Sequence, residues 1–117
     1  MSRRKGNRTV RKAIQYYEEE LDKDWKIDRV ERTGRFIKDK DLYGLFDLVA
    51  VAPKGWVHFI QVKTNTPATQ KPFRDFAKQY ASTRVYVVVM TWYDYKGWRI
   101  QRYLKSGGIK DVYVWKR

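Results

Sequence analysis

The chain has no cysteine, few acidic residues for its size, and no long apolar run. Without cysteine there are no disulfides and no thiolate metal ligands, and a cytoplasmic, intracellular location is the expected one. No stretch approaches the roughly 18 apolar residues a membrane span requires. The opening Met1-Ser2-Arg3-Arg4-Lys5-Gly6 is basic and lacks the apolar core of a signal peptide. The lack of cysteine, together with 33% charged residues, also fits a thermophilic source. At 117 residues, with no internal repeat or linker, the chain is expected to form a single domain around one core, preceded by a basic flexible arm at residues 1–7.

What is present is aromatic and cationic. Five Trp, nine Tyr and five Phe, with 43% hydrophobic residues, argue for a folded protein, because disordered chains are poor in such side chains. Twenty-six Lys and Arg against thirteen Asp and Glu leave a net charge of +13. A polyanionic partner accounts for that charge most simply, since each cation placed on a phosphate releases condensed counterions. A surface charge that serves solubility alone is the competing account. A membrane surface fits less well, because the N-terminal helix lacks the Trp, Phe and Leu face that interfacial helices bury.

Val10, Ala13, Ile14, Tyr17 and Leu21 recur at helical spacing and predict a helix from about Arg8 to Asp22. Residues 25–30 alternate as a half-buried strand does, and Thr33–Tyr43 reads as a charged loop. The run 45–51 and the run 56–63 are two apolar strands joined by the turn Pro53-Lys54-Gly55, so they are expected to pair as a hairpin. Thr66-Pro67-Ala68-Thr69 breaks the second strand and offers a helix cap. Phe73, Phe76, Ala77 and Tyr80 then carry helical spacing to about Ala81. Residues 84–92 are apolar on both sides and predict a central strand. A turn at 94–97 leads to outer strands at 98–103 and 112–115. The order is α-β-β-β-α-β-β-β, an α/β fold with a mixed sheet flanked by helices.

Three polar residues conflict with these surroundings. Asp47 stands in an apolar run, where an ionised carboxylate is costly without a cation. Gln61 and Lys63 lie two apart in the next strand, so they share a face while Val62 turns into the core. If the strands pair, carboxylate, amide oxygen and ammonium converge. Mg²⁺ takes hard oxygen ligands and keeps several waters, so such a set suffices beside a substrate phosphate. The same spacing also fits a plain internal ion pair between Asp47 and Lys63. His58 falls on the other face from Gln61 and is expected to be structural.

The stretch from Lys5 to Lys63 resembles the PD-(D/E)XK, or restriction-endonuclease-like, nuclease superfamily, and within it the archaeal Holliday-junction resolvases and small viral nucleases. The resemblance is carried by Lys5-Gly6-Asn7-Arg8 opening a helix, the strand from Trp25 to Val30, Gly44-Leu45-Phe46-Asp47-Leu48-Val49-Ala50-Val51, and Phe59-Ile60-Gln61-Val62-Lys63-Thr64. It covers about half the chain. It implies a restriction-endonuclease-like sheet, hydrolysis of DNA phosphodiesters, and Mg²⁺ (with Mn²⁺ able to substitute) held by Asp47, Gln61 and the Val62 main-chain carbonyl. Lys63 is then the catalytic lysine, and a virus- or prophage-infected cell is one setting. The chain departs from the pattern twice. The usual Glu is Gln61, as in similar Mrr-type restriction enzymes, which removes one negative charge from the site. The Glu that resolvases carry on the first helix is Val10 here, leaving Glu18 or Glu20, or Asp39 or Asp41, as candidate second carboxylates.

Expected phosphate contacts are Arg3, Arg4, Lys5, Arg8, Arg11 and Lys12, with Lys71, Arg74 and Lys78 sharing the polar face of the second helix. No base-reading motif is visible, so DNA structure, duplex or branched, is the expected object of recognition. Symmetric cutting of two strands implies a homodimer. The alternatives are a non-catalytic DNA- or RNA-binding protein on the same fold, and an RNA- or ribosome-associated protein.

Overall fold

The apolar run through Val87, Val88, Val89 and Met90 needs cover on both faces, and the architecture follows from that need. The computed structural model describes residues 3–19, 24–30, 43 and 45–116, with side chains for 8–19, 24–30, 43 and 45–112. In chain order the elements are α1 (Arg3–Glu19), β1 (Lys26–Arg29), β2 (Leu48–Ala52), β3 (Trp56–Thr64), α2 (Gln70–Tyr80), β4 (Val85–Tyr93), β5 (Gly97–Tyr103) and β6 (Ile109–Lys116). The expected α-β-β-β-α-β-β-β order is therefore present, as a mixed α/β fold.

The six strands lie side by side in sequence order. All neighbours are antiparallel except β3 and β4, which run parallel. A parallel pair cannot be joined by a tight turn, and α2 supplies the crossover. β2 and β3 form the expected hairpin, with Leu48 opposite Ile60 and Ala52 opposite Trp56. Its turn places Lys54 and Gly55 at φ 73° and 87°, and glycine suits the second of these because it has no Cβ to clash.

Each helix covers one sheet face. Ala13 and Tyr17 of α1 pack on Leu48, Ala50, Ile60, Val62, Val88 and Met90. On the other face, Phe73 and Ala77 of α2 pack on Phe46, Val87, Val89 and Tyr103. Burying each such aliphatic or aromatic side chain contributes roughly 1.5–3 kcal/mol. Two hydrogen bonds set how α1 lies along β3: Thr64 Oγ1 to Thr9 Oγ1 at 2.7 Å, and Tyr17 Oη to His58 Nδ1 at 2.7 Å. The start of α1 is thereby held at the C-terminal end of β3. No helix among the described residues is long and apolar enough to cross a membrane.

Two expectations change. α1 begins at Arg3, so residues 3–7, read as an arm, are its first turns. β2 begins at Leu48, so Asp47 is not inside a strand but in a bend just before one. The bend is visible in the packing: Phe46 joins the core under α2 and Leu48 the core under α1, whereas positions two apart in a regular strand share a face. Leu21, Asp22 and most of the Thr33–Tyr43 segment lie outside the described residues.

His58 is structural, as its alternation predicted. It stacks on Tyr86 with ring centroids 4.8 Å apart and bonds Tyr17. Burial, helped by the Arg102 charge, pushes its imidazole down from 6.5 to about 4. The unfolded chain therefore binds a proton on His58 before the folded chain does. The stabilisation is complete above pH 6.5 and is lost as the pH falls from there to about 4. Urea unfolding across that window should show an extra loss of about 3 kcal/mol in the wild type. The extra loss should be absent from His58→Gln, which keeps a polar group beside Tyr17 but does not titrate. Parallel pH profiles for the two proteins would refute this role.

Candidate metal and nucleic-acid site

Asp47 sits astride Gln61. Its amide donates to the Ile60 carbonyl at 2.9 Å, and its Oδ2 accepts the Val62 amide at 3.0 Å. The carboxylate thus takes the place of a main-chain acceptor at the point where β2 bends away. In an extended strand one residue's N–H and C=O point to the same side, so the Val62 carbonyl also faces the Asp47 side of β3.

Ile60 and Val62 belong to the core under α1 and Phe59 to the core under α2. By alternation the Gln61 and Lys63 side chains project on the α2 face, both half-buried. The Gln61 Oε1 is buried and has no hydrogen-bond partner among the described residues. A buried carbonyl oxygen left unpaired costs about 1–3 kcal/mol, so an acceptor kept here is suited to a ligand that is not protein. Asp47 carboxylate, Gln61 Oε1 and Val62 carbonyl are all hard oxygen donors, and they fit a divalent cation of the Mg²⁺ class. Bound there, such a cation would polarise a phosphodiester and acidify a water. The Lys63 ammonium, on the Gln61 face, would meet negative charge developing on a phosphate brought there.

Of the candidate second carboxylates only Glu18 is among the described residues. Glu18 is exposed on α1, next to Tyr17, which bonds His58 on the opposite face of the sheet. It is not brought to Gln61. Glu20, Asp39 and Asp41 lie outside the described residues. Among the described residues no three of His, Cys, Asp and Glu cluster as a metal site, so this donor set rests on a single carboxylate.

The strand register extends the polar surface in a way that local patterns do not reveal. Lys63 pairs with Thr91 and Thr91 with Arg99, while Gln61 pairs with Val89 and Val89 with Gln101. Arg99 and Gln101 therefore share the face of Lys63 and Gln61. Arg99 bonds Asp111 at 3.1 Å, an ion pair whose side chains are 39% and 44% exposed and which contributes little to stability. The Tyr103 phenol on this face is pushed up by burial, against the opposing charges of Arg74 and Arg99. The alternation of 98–103 signals that Arg99, Gln101 and Tyr103 share a face. Only the register says which face it is.

The expected phosphate contacts separate into distinct environments. Arg8 and Arg11 are exposed on α1. Lys12 lies with its ammonium 4.0 Å from the Trp92 ring centroid, a cation–π contact. The side chains of Arg3, Arg4 and Lys5 lie outside the described residues. Lys71, Arg74 and Lys78 do not form one uniform solvent face. Lys71 pairs with Asp75 at 2.7 Å, and the Lys78 stem runs against Gly107. Arg74 is half-buried, bonds Gln70 Oε1 at 3.2 Å and keeps a buried Nε without a partner among the described residues. The neighbouring Phe73 packs on Tyr103 of β5, with ring centroids 5.9 Å apart.

Both helices start at the end of the sheet where Lys63 lies: α1 through Thr9 on Thr64, α2 through the short link after Thr64. Neither has an acidic residue in its first turn, where the helix dipole would favour one. The dipoles and the basic residues add at that end. Compared with protein-family models and with curated protein sequences, the chain matches none.

Replacing Gln61 with Met keeps the side chain's length and removes the unpaired oxygen. Metal-free Gln61→Met should unfold at the same urea concentration as wild type or higher, by up to about 1 kcal/mol. A loss of more than that would mean the amide has an internal role.

Proposed function

We propose that the protein is a metal-dependent DNA endonuclease of the PD-(D/E)XK, restriction-endonuclease-like kind, acting on duplex or branched DNA as junction resolvases do. The observation that carries the reading is the buried Gln61 Oε1, unpaired among the described residues, on the face of Lys63 and next in the strand to Val62, whose amide the Asp47 carboxylate accepts. In this reading Asp47, Gln61 and the Val62 carbonyl hold Mg²⁺ or Mn²⁺, and Lys63 orients the attacking water or offsets charge on the pentavalent phosphate. The element order and the Asp47 bond support it, because β3 carries Gln61 and Lys63 on one face and Asp47 accepts from the amide of Val62 between them.

The DNA-binding part of the proposal rests on electrostatics. A net charge of +13 and two helix starts rich in cations at one end of the sheet form a receptor for phosphates. Arg8 and Arg11 are the exposed contacts of α1. Cutting two symmetric strands calls for a twofold homodimer, which is part of the same proposal.

Purified protein should nick supercoiled plasmid or cut a four-way junction with Mg²⁺ or Mn²⁺, and should do neither in EDTA. Asp47→Ala and Lys63→Ala should lower cutting by at least 100-fold, on the order of what loss of a main electrostatic group costs. DNA affinity should stay within a few fold of wild type. Arg8→Ala with Arg11→Ala should lower affinity evenly across sequences and reduce the salt slope by about 1 per lost phosphate contact. Inertness on every DNA form, with metal or without, would leave a DNA-binding protein without the chemistry, and full cutting by Asp47→Ala would overturn the reading of this site.

A further inference from the structure

Beside the candidate site, on the same face of the sheet, lies a groove of about 400 Å³ lined by Tyr43, Phe59, Phe76 and Tyr80. Phe59 and Phe76 form its floor, with centroids 5.8 Å apart, and both reach Phe46 beneath, at 5.5 and 5.0 Å. Tyr43 and Tyr80 form the rim. Tyr43 stands 5.7 Å from Phe76 at a 33° tilt, and Tyr80 stands 4.7 Å from Phe76 at 46°. The rim rings are 63% and 57% exposed, among the most exposed large side chains described. Aromatic side chains normally bury most of their area, so two wet rings over an aromatic floor make a stacking surface with room left in it.

Its position gives it meaning. Phe59 and Gln61 are two residues apart on one face, so their roots are about 6.6 Å apart. The groove therefore begins one side chain away from the carboxylate–amide–ammonium group. At the opposite end of β3 from Lys63 lie exposed Lys54 and Arg84, tied together by a bond from the Arg84 guanidinium to the Lys54 carbonyl. From Lys63 to Val57, whose amide bonds the Arg84 carbonyl, the strand spans roughly 20 Å. An apolar aromatic slot on a strand with cations at its two ends is complementary to a nucleic-acid strand: phosphates at the cations, a base in the slot.

We propose that this groove receives an unstacked DNA base next to the phosphodiester that is cut, so that the preferred substrate carries an unpaired nucleotide, as at a bulge, fork or branch point. A continuous duplex keeps its bases stacked inside and has none to offer. An already unpaired base enters without the cost of unstacking, and that saving is the source of selectivity. The inference rests on the nuclease reading for the word "cut", but base capture is measurable without it.

The test uses the full chain in EDTA, with two DNA probes of the same sequence. One is a perfect duplex, and the other has a single bulged 2-aminopurine whose fluorescence falls when it stacks. Wild type should bind the bulge about tenfold more tightly than the duplex and quench the probe, a factor within the range of one base stacked on aromatic rings. Tyr43→Ala and Tyr80→Ala should bring the preference to within twofold and abolish quenching, with duplex affinity unchanged. Tyr43→Phe should retain both. Both tyrosines are exposed, so the fold survives these changes, which circular dichroism verifies. Equal wild-type affinity for the two probes, or alanine variants that keep preference and quenching, would overturn the proposal. Bulge preference in a protein that never cuts with metal supports the groove and removes the nuclease reading alone. Metal-dependent cutting with equal rates on bulge and duplex removes the groove alone.

Discussion

The bond from the Val62 amide to the Asp47 carboxylate is where the rest of the site begins. In a regular antiparallel ladder that amide would find a main-chain carbonyl. Here the chain bends at Asp47, and a side chain finishes the rung instead. Three consequences follow. The hairpin ladder stops at Leu48 and Ile60, β3 runs on beyond it, and its next carbonyl faces the same side as the carboxylate. The bend also sends Phe46 under α2 and Leu48 under α1, so one irregular residue ties the two cores together.

That arrangement has a cost. The Gln61 Oε1 and the Arg74 Nε are both buried without a partner among the described residues. A fold selected for stability alone would place apolar atoms at both positions, because burying an unmatched polar atom is unfavourable. Native proteins break local rules mostly where a ligand is to be met. The two breaches here fall on the same face of the sheet, beside the same helix start.

Charge follows the same geometry. Both helices open with cations, against their own dipoles, at the end of the sheet where β3 ends. Each misplaced charge costs a few tenths of a kcal/mol or more in helix stability. A polyanion lying across that end recovers the loss by neutralising several of them at once. Part of the positive charge is absorbed locally, at that end by Lys12 on the Trp92 ring, Arg99 with Asp111 and Lys71 with Asp75, and farther along the sheet by Arg102 on the Tyr86 ring.

Periodicity alone determined the element order, the central place of β4, the hairpin of β2 and β3, and the structural role of His58. These are statements about which faces are apolar, and a period of 2 or 3.6 carries them directly. The turn at Pro53-Lys54-Gly55 was legible as well, and with it the hairpin register that sets Leu48 opposite Ile60. Tertiary structure decided the remainder. The bend at Asp47 has no sequence signature, since it arises from competition between two cores for Phe46 and Leu48. Whether Glu18 could join the site depended on which face α1 covers, and the two long-range bonds from Thr9 and Tyr17 set that. Arg99 and Gln101 joined the Gln61 face only through register across β4, and the aromatic groove formed only because α2 folds back onto the sheet and sets Phe76 against Phe59. Local pattern tells which residues share a face; the pairing of distant segments tells what that face meets.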